Sequence, residues 1–214
     1  MADGLVITAK WKTQEVRALM EKLQGHRLHQ ALSVAVNDST RQVERKAEQL
    51  TSKSLSVTAR RAKKGIWIRP YSTASTLTAV IRGSGSVIPL KAYGAKQAGD
   101  GVTAKIWCGS VHHPGAFIYG GPDDDRTRDL SMGGHVFVRV GASWLSKDKR
   151  GPIRKAKGAA IAEAMAKDAI SNANETYGAE RLHVNVLRQL QRYTSLHKNK
   201  STRRGSEGKF KKRT

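Results

Sequence analysis

The stretch Ile88–Ile118, IPLKAYGAKQAGDGVTAKIWCGSVHHPGAFI, decides the fold class. Within it Val102, Ala104, Ile106 and Cys108 alternate with Thr103, Lys105 and Trp107, the period-2 pattern of a half-buried strand. Val87 to Tyr93 on one side and Ala116 to Tyr119 on the other read as further extended pieces, set off by glycine and proline. Ile66 to Arg69, stopped by Pro70, and Leu77 to Arg82, closed by Gly-Ser-Gly-Ser, predict two strands upstream. His135 to Val140 predicts one downstream, beyond the polar, Gly-flanked loop GGPDDDRTRDLSMGG at 120–134.

Outward from this block the period becomes helical. Val16, Leu19, Met20 and Leu23 fall at i, i+3, i+4 and i+7, an amphipathic helix ending near Gly25. Leu28, Ala31, Leu32, Ala35, Val36, Val43, Ala47 and Leu50 predict one long helix over 27–51. Asn37, Asp38, Ser39 and Thr40 are weak helix formers in its middle and predict a kink or break there. Ser56 is placed to cap a short basic helix over 57–64. After Gly151-Pro152 the helical spacing returns, with Ile161, Met165 and Ala169, then Leu182, Val186 and Leu190. Helices, then consecutive strands, then helices argue for an α+β fold. The expected architecture has long N-terminal helices, a small twisted, mainly antiparallel sheet of about five strands, C-terminal helices and a disordered basic tail. The expected organisation is a helical region over 1–56, the sheet core of a single domain over 57–144, a helical region over 145–196 and the tail over 197–214. No internal repeat is visible.

The chain has 214 residues and a formal net charge of +22, with 38% hydrophobic residues and a mean hydropathy of −0.52. High charge with low hydropathy leans toward local disorder, yet the length still permits one sizeable core. No run approaches the roughly 20 apolar residues of a spanning helix. The N-terminus lacks the layout of a secretory signal, so a cytoplasmic, membrane-free protein is expected. Cys108 is the only cysteine, which rules out an intrachain disulfide and a four-cysteine zinc site. A charge of this size favours polyanions, meaning nucleic acid or an acidic protein surface.

About a third of that charge lies in the last stretch, HKNKSTRRGSEGKFKKRT. Lys198, Lys200, Arg203, Arg204, Lys209, Lys211, Lys212 and Arg213 face Glu207 alone there, and these eight cations are the candidate nucleic-acid contacts. Other clusters are Arg60, Arg61, Lys63 and Lys64, and Lys147 to Lys157; a solvated surface accounts for either. Trp67, Trp107 and Tyr193 have the chemistry to stack on bases, but in alternating segments packing is the expected role.

No phosphate loop, nucleophile elbow or dinucleotide fingerprint is present. Cys108, His112, His113, His135 and Asp123 to Asp125 are the residue types of a metal site or a metal-dependent nuclease, but their spacing matches no zinc motif. Cys108 reads as a small buried hydrophobe. No catalytic, cofactor-binding or metal-ligating residue is assigned, and the chain is expected not to be an enzyme.

Several ordered elements resemble the minor tail protein Z family of lambda-like phages and prophages. They are Pro89-Leu90; Tyr93-Gly94-Ala95-Lys96-Gln97; Gly101-Val102 with Lys105-Ile106-Trp107; Pro114-Gly115-Ala116-Phe117-Ile118; and Gly134 to Arg139, which contains Phe137. Ala31 to Leu50 is similar to the family's N-terminal helix. The likeness covers roughly residues 5–141; beyond it only Gly151-Pro152-Ile153 echoes the family's following segment. It implies a structural virion protein, a tail completion protein at the head-proximal end of the tail, present in the host cytoplasm during assembly. The implied partners are the tail terminator, the tail tube, the head–tail connector, further copies in a ring, and the packaged DNA near the basic segments. The motif residues would shape the fold, with Pro114-Gly115 setting a turn and Phe117 entering the core. A stand-alone basic nucleic-acid-binding protein is the alternative.

Overall fold

The computed structural model describes residues 14–23, 25–120, 132–140, 144–146, 149–150 and 152–206, with the backbone only for 144–146, 149–150 and 196–206. The chain divides into two compact units, each gathered from separated stretches. Of the described residues, the helical unit takes those from Gln14 to Arg45, Ile68–Ile81 and those from Asn172 to Ser206. The sheet unit takes Lys46–Trp67 and Arg82–Ser171.

Three helices build the helical unit: α1 (Gln14–Lys22), most of α2 (His26–Leu55) and most of α5 (Asp168–Ser206). Val16, Leu23, Ala31, Ala35, Val186 and Leu190 form its core, flanked by Leu19, Met20, Leu28, Leu32, Leu182, Leu187 and Tyr193. The i, i+3, i+4 spacing read in the sequence is therefore the face that is buried.

Helix α2 runs through Asn37–Thr40 without the break that was one of the two expectations there. Each of these four polar side chains has a hydrogen-bond partner. Asn37 brackets the Ser72 backbone, accepting from its N–H at 2.8 Å and donating to its carbonyl at 2.9 Å. Asp38 accepts from Arg188 at 3.0 Å and Gln189 at 2.9 Å. Ser39 and Thr40 donate to the carbonyls one turn back, both at 2.7 Å. The buried Asn185 amide donates to the Ser39 hydroxyl at 2.9 Å, so polar groups as well as apolar ones fix which residues of α2 and α5 face each other.

Helix α2 ends with Ser56 at φ 58. Its N–H returns to Lys53 and that of Val57 to Ser52, the paired bonds that close a helix through a left-handed residue. Thr58, not Ser56, caps α3 (Ala59–Lys63), accepting from the Arg61 N–H at 3.3 Å. Ser56 cannot cap because its left-handed backbone has already turned the chain.

The described strands form five small sheets in place of one sheet of about five strands. β1 (Ile66–Ile68) pairs with β2 (Ile81–Gly83), and β3 (Val87–Pro89) with β12 (Lys157–Ala160). β4 (Lys96–Ala98), β5 (Gly101–Ile106) and β6 (Gly109–Pro114) make an antiparallel meander. β7 (Ala116–Ile118), β8 (Val136–Arg139) and β11 (Ile153–Lys155) make another, with β8 central. β9 (Trp144–Ser146) and β10 (Lys149–Arg150) pair with each other. Glycine and proline between short runs prevent longer ladders. Leu77 sits at φ 49 in a Thr/Ser-bonded turn, so the strand expected from Leu77 begins only at Ile81. Val87 to Tyr93 is β3 followed by a 3-10 turn over Leu90–Tyr93.

β11 and β12 precede the short helix α4 (Ile161–Met165), where the sequence had predicted helix directly after Pro152. The segment expected as a disordered tail is helical to Ser206. A helix already nucleated gains one hydrogen bond for each residue added, and the Lys, Arg, Asn, Ser and Thr residues there do not stop it. Residues 207–214 lie outside the described residues. No helix among the described residues is long and apolar enough to cross a membrane.

Candidate functional site

The family-like elements from Pro89 to Arg139 lie in the sheet unit, whereas most of Ala31–Leu50 lies on α2 in the helical unit. Leu90 is fully buried and its N–H donates to the Ala156 carbonyl at 3.2 Å; Pro89 lies opposite Lys157. Gly94 ends the 3-10 turn at φ 62, a conformation that favours glycine. Gln97 is the clasp of the group: its amide N–H donates to the Gly101 carbonyl at 2.9 Å and its carbonyl accepts from the Ile118 N–H at 3.1 Å. Pro114 pairs with Gly101, and the Gly115 N–H donates to the Asp100 carbonyl at 2.9 Å. One side chain thus ties the β4–β5 turn to β7.

Ala116, Phe117 and Ile118 lie opposite Val138, Phe137 and Val136. Ala116, Val136 and Phe137 are buried. Phe117, expected in the core, is only half-buried; it stacks on Phe137 with centroids 6.2 Å apart and carries the Arg139 guanidinium 5.2 Å over its ring. Alternation along a three-residue strand buries Ala116 instead.

Trp107 and Cys108 correct a second expectation. They do not continue β5: with φ 54 and φ 60 they are the two tip residues of the β5–β6 hairpin, between the paired Ile106 and Gly109. Such a turn normally takes Asn-Gly, and two larger residues strain it. Docking holds the strained tip. The Cys108 N–H donates to the Ser56 hydroxyl at 3.2 Å, the Cys108 thiol donates to the Lys53 carbonyl at 3.2 Å, and the Lys167 ammonium lies 3.2 Å from the Trp107 ring centre. Cys108 is exposed, not a buried hydrophobe.

His112 makes a 3.0 Å contact through Nε2 to Asp100 and one of 3.3 Å through Nδ1 to Thr103, an exposed clasp across the hairpin. His113 Nε2 and His135 Nδ1 are buried without a hydrogen-bond partner among the described residues. Burial, with Lys155 and Lys91 nearby, pushes the His135 pKa below its usual value. Among the described residues no three His, Cys, Asp or Glu side chains converge, and Asp123 to Asp125 lie outside those residues.

Tyr93 is buried, and its hydroxyl donates to the Ala159 carbonyl at 2.9 Å. Burial pushes its pKa above 10.0, the value of an exposed phenol, and the Glu163 carboxylate adds to the rise. The folded state therefore holds this proton more tightly than the unfolded chain. Its contribution is complete below about pH 10 and is lost as pH climbs through the raised value. Guanidinium unfolding between pH 8 and about pH 11 should show this decline, and Tyr93→Phe should flatten it while removing about 1 kcal/mol at neutral pH. Equal slopes in both proteins would assign the decline to another group.

Of the basic candidates, Lys198, Lys200, Arg203 and Arg204 lie on the last turns of α5; Lys209, Lys211, Lys212 and Arg213 lie outside the described residues. Tyr193 packs against the helical core and Trp107 lies under Lys167, but Trp67 is 40% exposed in the middle of β1. The sequence carried that signal: Ile66 and Ile68 share one face of a strand, which places Trp67 on the other. No protein-family model, no curated protein and no solved structure matches this chain.

Proposed function

We propose that this chain is a structural virion protein, a tail completion protein that acts at the head-proximal end of a phage tail in tail assembly and head–tail joining. Its neighbours would be the tail terminator, the tail tube and the head–tail connector, with further copies of itself in a ring and packaged DNA beside the basic segments. The observation that supports this reading is the mutual bonding of the family-like elements. Gln97 joins Gly101 to Ile118, Pro114 pairs with Gly101, and Ala116–Ile118 pairs with Val136–Val138. Elements in the family order thus form one connected structure, with no catalytic arrangement required of them. Strand addition offers a route to assembly: β6 is a six-residue edge strand whose side chains are almost all exposed, and β4 is exposed along its whole length.

A stand-alone basic nucleic-acid-binding protein is the second reading, favoured by the +22 charge and by the run of cations along the last turns of α5. Electron microscopy of particles made without the gene separates the two. Tails that fail to join heads, or joined particles that do not infect, are the expected result. Infectious particles in normal yield would overturn the assembly role.

A further inference from the structure

We infer that the outer face of the β1–β2 ribbon, together with α3, is a binding surface for single-stranded nucleic acid, with Trp67 as the stacking platform. The register carries the first part of the case. The Ser84 N–H donates to the Gly65 carbonyl at 2.7 Å and the Arg69 N–H to the Val80 carbonyl at 2.8 Å. Paired residues recur every two positions in an antiparallel ribbon, so these bonds place Trp67 opposite Arg82 on one face. Ile66, Ile68 and Ile81 are buried, while Trp67 and Arg82 are exposed.

The second part is charge. Arg60, Lys63 and Lys64 are exposed, and Lys64 is three residues before Trp67, within about 11 Å along the chain. Ala62 is the buried residue of α3, and Arg60 and Lys63 on the same helix are exposed. These residues, Trp67 and Arg82 all belong to the sheet unit. Four acidic residues are described in that unit. Of these, Asp100 contacts His112 and Glu163 accepts from the Ala160 N–H at 3.4 Å. None of Arg60, Lys63, Lys64 and Arg82 forms an ion pair among the described residues.

The third part is the ring itself. The Trp107 face is occupied by Lys167, whereas no cation or ring among the described residues covers Trp67. An uncovered indole opposite a guanidinium and beside three more cations fits a base whose phosphates the cations neutralise. A duplex hides its base faces, so the fit is to unpaired bases, and it does not depend on the sugar. An acidic protein would use the cations but not the ring. The inference stands whether or not the chain is a tail protein.

The test is a set of binding titrations over a salt series, with the full chain and fluorescein-labelled oligothymidylate, oligouridylate and a duplex of equal length. Trp67→Ala should weaken both single strands about tenfold and leave the duplex within about twofold, with the salt slope unchanged. Lys63→Ala/Lys64→Ala should instead reduce the single-strand slope by about 1. Trp67→Phe should bind like the parent and Trp67→Leu like the alanine variant, which keeps the test valid should alanine unfold the ribbon. No loss on Trp67→Ala, equal loss for duplex and single strands, or Leu binding as well as Phe would overturn the inference. Loss for oligouridylate alone would also overturn it as stated.

Discussion

Leu190→Ala is expected to lower the stability of the helical unit by about 3 kcal/mol. Leu190 is fully buried among Val16, Leu23, Ala31, Ala35 and Val186. Truncation removes its apolar contacts and leaves a cavity, and the opposing Ala31 and Ala35 are too small to fill it. Val184→Ala, on the same helix but 52% exposed, should change stability by less than about 0.5 kcal/mol. Denaturant unfolding followed by helical circular dichroism checks the pair. Similar losses for both would show that the helix faces are misassigned.

Gly158→Ala should destabilise the sheet unit by about 2–3 kcal/mol. A Cβ at this position would lie 2.5 Å and 2.9 Å from two carbons of the Tyr93 ring. The ring has little freedom to move aside, because Tyr93 is buried and its hydroxyl is bonded to the adjacent Ala159 carbonyl. Gly94→Ala meets no neighbouring atom, and its cost is the left-handed backbone alone, about 1 kcal/mol. Thermal melts of the two variants should therefore differ by several degrees, with Gly158→Ala the lower. A Gly158→Ala melt equal to that of the parent would mean that the ring is not held as described.

Some of the molecule was legible in a single pass along the chain. The core face of α1, α2 and α5 follows from apolar spacing, because burial of one helix face is a local pattern with a fixed period. β5 follows likewise from Val102, Ala104 and Ile106, all buried. The exposed side of Trp67 follows likewise from Ile66 and Ile68, because alternation puts it on the face opposite theirs. Other features have no local signal. The unbroken path of α2 depends on Ser72, Asn185, Arg188 and Gln189, which lie far along the chain from Asn37–Thr40. The strained Trp107-Cys108 tip depends on Ser56, Lys53 and Lys167 in the same way.

By itself, then, the sequence determined the α+β class, the buried helix faces, the central strand β5 and the basic character of the surface. Each of these is set by the period of apolar residues or by a sum of charges. Tertiary structure decided how short strands separate into small sheets, where β5 turns and how Gln97 clasps the family-like elements. It also decided which tryptophan is covered by a cation and which is left open. Those outcomes depend on hydrogen bonds and contacts between residues remote in sequence, and such partners exist only once the chain has folded.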